Sequence, residues 1–581
     1  MGRNARRNAV TLPPLKPIVV LAALLWFPCD PSVAQVPAAG SPLPRVLPPE
    51  PASVAPAMPT APEQSAKPTP AIDVTVTSVS IEGVTAYDQA AFADATRDLI
   101  GPAVPLARIE AARSAILRRY RDDGYVLSAV SVSIDAGGVL RLLITEGHIA
   151  SVKLSADIGP AGARVLRFLQ RLTEKNPIDE ATLERYLLLA QDVPGVTLHA
   201  VLQPVPGEPG ALNLIAEVSR AAISGLATTD NYASRYTGPV ESLLVLDANS
   251  FTSFGERSEV SLYHAWPNSQ TFGQASTEIF LGDSGLRLRV YGGSGQTSPT
   301  GPLALEGYLG ITNVFGAALT FPVIRSRTET LNMFGDLDAT ESTVSVLADG
   351  QRSQASYDSL RVARFGTDYA RSDLLLGGDR GAVNAVSLRL SKGLEVFGAS
   401  TDGGARLPRI GEAADFTKID GRISRTQTLF APYEGATVAL EGVLAGQFTN
   451  NVLPPSEEFY LGGLQYARGY DSGSITGDRA LASTVELQFN TSLDLSSFAL
   501  SDPVPAQVYG FYDWAETWQR DPQSLRVRVA STGLGVRLTA TRYAEIDLLG
   551  AARLNRYPTG HGTGVKPLGP PTFLWRVLSR F

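Results

Sequence analysis

The sequence predicts a membrane protein built as a sixteen-stranded antiparallel transmembrane β-barrel, preceded by two small α+β domains. Three observations predict it. The chain opens with a basic stretch followed by a short apolar one. Two consecutive segments of roughly 70 residues then repeat one order of elements. From about Ala221 to Phe581, segments of about ten residues alternate apolar and polar side chains between Gly, Asp, Ser and Pro. Composition agrees. Of 581 residues only 18% are charged while 44% are hydrophobic, too few charges for an ordinary soluble surface. One Cys and four His leave no material for a disulfide scaffold or a zinc cluster. The net charge of −7 argues against a nucleic-acid partner, which requires a concentrated basic surface.

The N-terminus sets the compartment. Arg3, Arg6, Arg7 and Lys16 precede an apolar run over 18–27, and Ser32-Val33-Ala34 offers small residues for cleavage. Residues 1–34 therefore read as a secretory signal peptide, carrying Cys29 away and taking the net charge from −7 to −10. The apolar run is far below the ~20 residues that a helical span needs. Residues 35–72 read as a linker. Eleven prolines between 37 and 70, with few large apolar side chains, cannot bury enough surface to offset ordering entropy.

Folded structure is expected from Asp73. In the first unit, 73–148, Val74, Val76, Val79 and Ile81 open a strand region. Leu106, Ile109, Ile116, Leu117 and Tyr120 recur at helical spacing over 106–123, with Gly124 as a stop. Strands at 126–134 and 139–145 close the unit around the turn Asp135-Ala136-Gly137-Gly138. The reading is strand, helix, helix, strand, strand. The second unit, 149–219, repeats it: a strand at 149–154, a helix marked by Val165, Leu166, Leu169 and Leu172, and a second helix capped by Asp179. Strands at 196–202 and 212–218 finish it.

The barrel is expected over 220–581. Val485, Leu487 and Phe489 alternate with Thr484, Glu486 and Gln488; Leu534, Val536 and Leu538 alternate with Gly535, Arg537 and Thr539. Phe573, Trp575 and Val577 do the same before the chain ends at Phe581. Apolar residues facing lipid and polar ones facing a lumen give this pattern, and an even count of strands closes without an unpaired edge. Between the strands at 437–447 and 482–493 lies a long connection, about 448–481, containing Leu461-Gly462-Gly463-Leu464-Gln465-Tyr466-Ala467-Arg468-Gly469-Tyr470 and, further on, Gly477-Asp478-Arg479. A connection of that length with several glycines exceeds what a surface turn needs.

On these residues the chain resembles the TpsB (FhaC/ShlB/HecB-type) transporters of two-partner secretion, in the superfamily of outer-membrane assembly factors. The resemblance implies two periplasmic POTRA domains ahead of the barrel and a loop six that folds back into it. The family's Val-Arg-Gly-Tyr tip reads Ala467-Arg468-Gly469-Tyr470 here, and its Phe-x-Asp-x-Gly wall motif reads Phe511-Tyr512-Asp513-Trp514-Ala515. Residues 187–196 also resemble the second POTRA domain, so the likeness runs over roughly 73–581. An Arg threaded into a lumen is partly desolvated and needs a carboxylate at hydrogen-bond distance, which Asp513 supplies in bidentate form. Gly469 permits a sharp tip, and Tyr470 packs against the wall while its hydroxyl finds a partner. Asp478 belongs to the same expected lock, and Phe581 resembles the signal read by the barrel-assembly machinery.

The resemblance implies an outer-membrane pore, with its POTRA domains in the periplasm. There they recognise an unfolded exoprotein (TpsA-like, of the haemolysin or adhesin class), and the pore passes it to the surface without ATP. Exposed sheet edges and the helix over 106–123 suit capture of an extended chain. The alternative is a general barrel-assembly factor; a passive porin has no need of 147 periplasmic residues, 73–219. His148, His199, His264 and His561 are scattered, and GxxxxGK[ST] and GxSxG do not occur, so neither an enzyme, a metal nor a cofactor is expected. The proline-rich linker makes a long plug helix in the pore unexpected. Outer-membrane lipids complete the expected partners.

Overall fold

The computed structural model describes residues 72–234, 237–300, 302–401, 407–494, 503–520, 526–541, 543–556 and 568–581. The expected signal peptide, the expected linker to residue 71 with its lack of a plug, and His561 lie outside the described residues.

In the first unit Ser78–Glu82 pairs parallel with Val139–Thr145, which pairs antiparallel with Ala129–Ile134. Helix α1 (Leu106–Asp122) covers this sheet with Ile109, Ala112, Ile116 and Tyr120, residues spaced three or four apart and all buried. The order differs from the expected one. The first helical stretch is only a 3₁₀ turn, Gln89–Phe92, capped by Asp88, running into a single α-turn at Ala93–Thr96. A short strand, Gly101–Pro105, then pairs with Asp73–Val76. Gly101, Pro102 and Pro105 disguise it, since proline is tolerated in strands only where an edge leaves the missing N–H unneeded. The strand expected from 126 begins at Ala129, because Tyr125–Ser128 forms a turn. Tyr120 donates to Glu146 at 2.6 Å, and the amides of Thr85 and Ala86 donate to the same carboxylate at 3.0 and 2.9 Å. Burial pushes Glu146 up, but these donors and the Thr85 hydroxyl outweigh it and hold the group below the usual carboxylate range.

The second unit follows its expected order. His148–Leu154 pairs parallel with Ala211–Arg220, and Val196–Pro204 pairs antiparallel with it. Helices α2 (Pro160–Gln170) and α3 (Glu180–Gln191) pack Val165, Phe168, Leu169 and Leu189 on this sheet. The carboxylate of Asp179 accepts from the Thr182 amide at 2.8 Å, a side-chain N-cap.

The rest is a closed barrel whose strands are labelled β1–β16. They are β1 Ile223–Asp230, β2 Val240–Asn249, β3 Arg257–Trp266, β4 Gln270–Phe280, β5 Arg287–Thr297, β6 Leu309–Arg325, β7 Glu329–Ala348 and β8 Gln351–Asp373. The second half comprises β9 Ala382–Gly393, β10 Thr417–Phe430, β11 Thr437–Thr449, β12 Arg479–Leu493, β13 Val504–Trp518, β14 Arg526–Thr541, β15 Ala544–Arg553 and β16 Thr572–Arg580. All neighbours pair antiparallel, and β16 meets β1 from Arg576↔Asp230 to Arg580↔Leu226. Phe581 adds two backbone bonds with Gly225, at 2.9 and 3.0 Å, to this short seam. Val485 and Leu487 are exposed on the outer face while Thr484, Glu486 and Gln488 are buried inside, as the alternation predicts. No described helix is long and apolar enough to cross a membrane.

The second unit sits on the β2–β3, β4–β5 and β6–β7 turns at one end of the barrel, and Ser250 of the first donates to the Pro194 carbonyl at 2.8 Å. Arg164 donates to the Gly282 carbonyl at 2.7 Å, and Phe168 meets Phe280 edge to face at 5.2 Å. Arg185 donates to the carbonyls of Pro322, Ser284 and Val323 at 2.9 to 3.2 Å. Arg325 grips Asp192 with two bonds, at 2.7 and 2.9 Å. These turns mark the N-terminal-domain side, so the β11–β12 connection opens on the opposite side.

Candidate functional site

That connection runs over 450–478, because β11 and β12 each extend into the span expected as loop. It folds into the lumen. Gly462, at φ 94°, lets the chain turn so closely that a Cβ there would lie 2.2 Å from the Asp471 carbonyl oxygen. At the tip Ala467, itself at φ 57°, and Gly469, at φ 93°, flank Arg468. A Cβ on Gly469 would crowd Ala551 of β15 at 3.1 Å. Ala467, Tyr466 and Tyr470 pack with Ala515 of β13 and Val529 of β14, so the tip lies on the inner wall of β12–β15.

Arg468 is 5% exposed and fully engaged. Its Nε and Nη2 donate to the two oxygens of Asp513 at 3.0 and 2.8 Å, and its backbone N–H donates to the same carboxylate at 2.9 Å. The ring of Phe511 lies 3.6 Å below the guanidinium. The hydroxyl of Tyr470 reaches the carbonyls of Ala530 and Asn555 at 3.0 and 2.7 Å, and Arg553 donates to the Gly469 carbonyl at 2.5 Å. The structure thus brings Ala467, Arg468, Gly469, Tyr470, Phe511 and Asp513 together.

Sequence reasoning gave no role to the other half of this network. Nη1 of Arg468 donates to Glu486 of β12 at 2.7 Å, and Glu486 also accepts from Arg537 of β14 at 2.7 Å. Arg537 lies 3.4 Å from Asp547, which accepts from Tyr509 at 2.7 Å. Two guanidiniums and three carboxylates therefore alternate along the wall, each neutralising its neighbours where water is scarce. Glu486 and Arg537 occupy inward positions of the alternation, and that parity was the one signal available for them.

Asp478 stands apart from the tip. It is fully buried at the base of the loop, where Arg409 of the β9–β10 connection grips it with bonds of 2.7 and 3.1 Å. The amides of Leu453 and Arg520 donate to it as well, at 2.8 and 2.6 Å. Nearby, Glu457 accepts from Arg364 at 2.6 Å and faces Lys418 at 2.8 Å. Loop six is therefore held by two separate ionic nodes, at its tip and at its base. Phe581 is remote from both, on the β1–β16 seam. Among the described residues, no group of three or more His, Cys, Asp or Glu is placed to hold a metal.

Residues 308–538 match the family described as haemolysin secretion/activation protein ShlB/FhaC/HecB. Residues 74–147 match the POTRA domain of ShlB type. Among solved structures, CdiB from Escherichia coli is 18% identical, with a TM-score of 0.68 over 90% of this chain and 93% of that one. CdiB from Acinetobacter baumannii is 14% identical, with a TM-score of 0.62 over 91% of this chain and 95% of that one. At such identities these likenesses speak for the fold. No match was found among curated proteins. From the two family matches, and with a fold that agrees with them, the chain belongs to the ShlB/FhaC/HecB family of two-partner secretion transporters, a barrel in the outer membrane with its POTRA domains in the periplasm.

Proposed function

We propose that this transporter captures an unfolded exoprotein of the TpsA-like haemolysin or adhesin class in the periplasm and passes it through the barrel to the cell surface without ATP. The proposed units are the signal 1–34, the linker 35–72, POTRA 1 at 73–148, POTRA 2 at 149–219 and the barrel from 220. The observation that carries the reading is the buried Arg468–Asp513–Glu486 node, which pins a removable obstruction inside a pore. A passive porin needs no such device. Ala129–Ile134 and Val196–Pro204 lie at the ends of their sheets and suit addition of an extended cargo strand. Cargo entering the lumen displaces loop six by offering Arg468 other partners, and folding outside the cell draws the chain through. Phe581 serves as the mark by which the barrel-assembly machinery receives the protein, and membrane lipids surround its outer face.

Quantitative proteomics of culture supernatant and outer membrane from a strain lacking this protein tests the reading. Loss of one large secreted protein with porin levels unchanged is expected. A broad fall in barrel proteins would overturn it in favour of a barrel-assembly factor.

A further inference from the structure

The outer face of the barrel carries one feature that the secretion reading does not use. Gly421 of β10 and Gly446 of β11 stand directly opposite each other, flanked in the same row by Leu388 of β9 and Leu481 of β12. Leu388 and Leu481 are exposed, which places this row on the lipid face. Two adjacent glycines remove the side chains that elsewhere cover the sheet. They leave an open groove of about 660 Å³, walled by Leu388, Ile419 and Phe448.

Its upper end is basic. Arg479 and Arg520 line the groove beside Trp518, with the Arg479 guanidinium 4.2 Å above the Phe448 ring. The Arg479 charge lies in the repelling field of Arg520 and the attracting field of the buried Asp478 carboxylate. Among the described residues neither side chain has a carboxylate partner: Arg479 donates to the Thr449 carbonyl and Asn450, both at 2.6 Å. Next to them Arg526 and Arg528 share one carboxylate, Glu516. Among the described residues the four arginines thus outnumber the two nearby carboxylates, Glu516 and Asp478, at the end of β12–β14 away from the POTRA domains, and Asp478 is already bound by Arg409. A tryptophan at the interface and arginines just above it mark headgroup depth in a membrane barrel. Guanidinium pairs there match phosphate geometry.

We propose that this groove binds a phosphorylated, acylated glycolipid of the outer leaflet, of the lipid A class. Its phosphate sits between Arg479 and Arg520, and one acyl chain lies on the Gly421–Gly446 floor. An apolar slot under a cationic rim is complementary to an anionic headgroup above a hydrocarbon chain. The site is independent of the lumen, so its fate and that of the secretion reading are separable.

Native mass spectrometry of the purified full-length protein with diphosphorylated lipid A tests the proposal. One lipid retained per protein is expected, with retention lowered about tenfold or more for lipid A stripped of its phosphates and for the Arg479→Ala/Arg520→Ala double variant. Gly446→Leu fills the floor while leaving both arginines, and it too should lower retention. Heat-modifiable migration in gels verifies that each variant is a folded barrel, and the dephosphorylated lipid needs no variant at all. Equal retention of phosphorylated and stripped lipid, or displacement by an equal concentration of phosphatidylglycerol, overturns the assignment. Undiminished retention by folded Gly446→Leu overturns the placement of the acyl chain.

Discussion

Loop six and POTRA 2 are both fastened to the barrel by arginines, but they use opposite chemistry. In the lumen Arg468 meets the carboxylates of Asp513 and Glu486, all nearly out of water. At the periplasmic end Arg164 and Arg185 donate chiefly to backbone carbonyls of the β4–β5 and β6–β7 turns. A buried charge network fails as a unit, since each member exists to neutralise another. Carbonyl bonds spread over several turns fail one at a time, each loss modest. The difference separates the part built to let go from the part built to stay. Under the proposed function, an incoming chain that hydrates the lumen or brings its own charges would release loop six without loosening the POTRA dock.

The largest expected effect breaks the first half of this contrast. Asp513→Ala leaves Arg468 buried without its bidentate partner, at a cost of about 3–5 kcal/mol to the closed arrangement. Planar-bilayer recordings of the variant should show longer and more frequent openings than the parent, and heat-modifiable migration should persist. Conductance indistinguishable from the parent would remove the lock from the mechanism.

How much of this was legible in the sequence follows from where each feature is encoded. The barrel was legible because every strand writes its own alternation, as Val485-Glu486-Leu487 does, needing no partner to be read. The tip was legible through Arg468-Gly469-Tyr470 and Phe511-Tyr512-Asp513, a resemblance across two distant segments. Glu486 was read only as the polar half of an alternating strand, because nothing local distinguishes a lumen charge that meets an arginine from one that meets water. Arg409 lies in another connection entirely, so the partner of Asp478 could not be read from the loop that contains it. The same holds for the POTRA 2 dock: Arg164 looks like a helix-surface residue until the β4–β5 turn covers it.

Arg164→Ala probes the second half of the contrast. This side chain is 2% exposed, bonded to the Gly282 carbonyl and set between Phe168 and Phe280. Its loss removes this bond and the packing of the side chain between the two rings, and should weaken the dock by about 1–2 kcal/mol. Hydrogen exchange should speed up in the 281–286 turn and in α2, while the amide of Arg468 stays as protected as before. Faster exchange at both ends would show that dock and lock are coupled.

A smaller change sharpens the account of the tip. Ala467 is buried at φ 57°, a left-handed conformation that costs a β-branched residue more than alanine. Ala467→Val should therefore strain the tip by about 1–2 kcal/mol. The expected bilayer phenotype resembles that of Asp513→Ala but is weaker, with Ala467→Gly near the parent. A silent Ala467→Val would mean that the tip backbone is free to relax.

The smallest effect concerns the two-bond ion pair of the dock. Arg325 and Asp192 form a two-bond pair, but their side chains retain 16% and 29% of their exposure. Partial hydration screens the attraction and supplies substitute partners when either residue is removed, so a double-mutant cycle should give a coupling of only about 0.2–1 kcal/mol. The carbonyl bonds of Arg185, two helical turns earlier on α3, remain to hold the domain in place. Unfolding of Asp192→Ala, Arg325→Ala and the double variant, followed by hydrogen exchange at the β6–β7 turn, measures that coupling. A value approaching that of the Arg468–Asp513 pair would mean that the dock also rests on buried charge, and the division between a releasable lock and a permanent dock would fall with it.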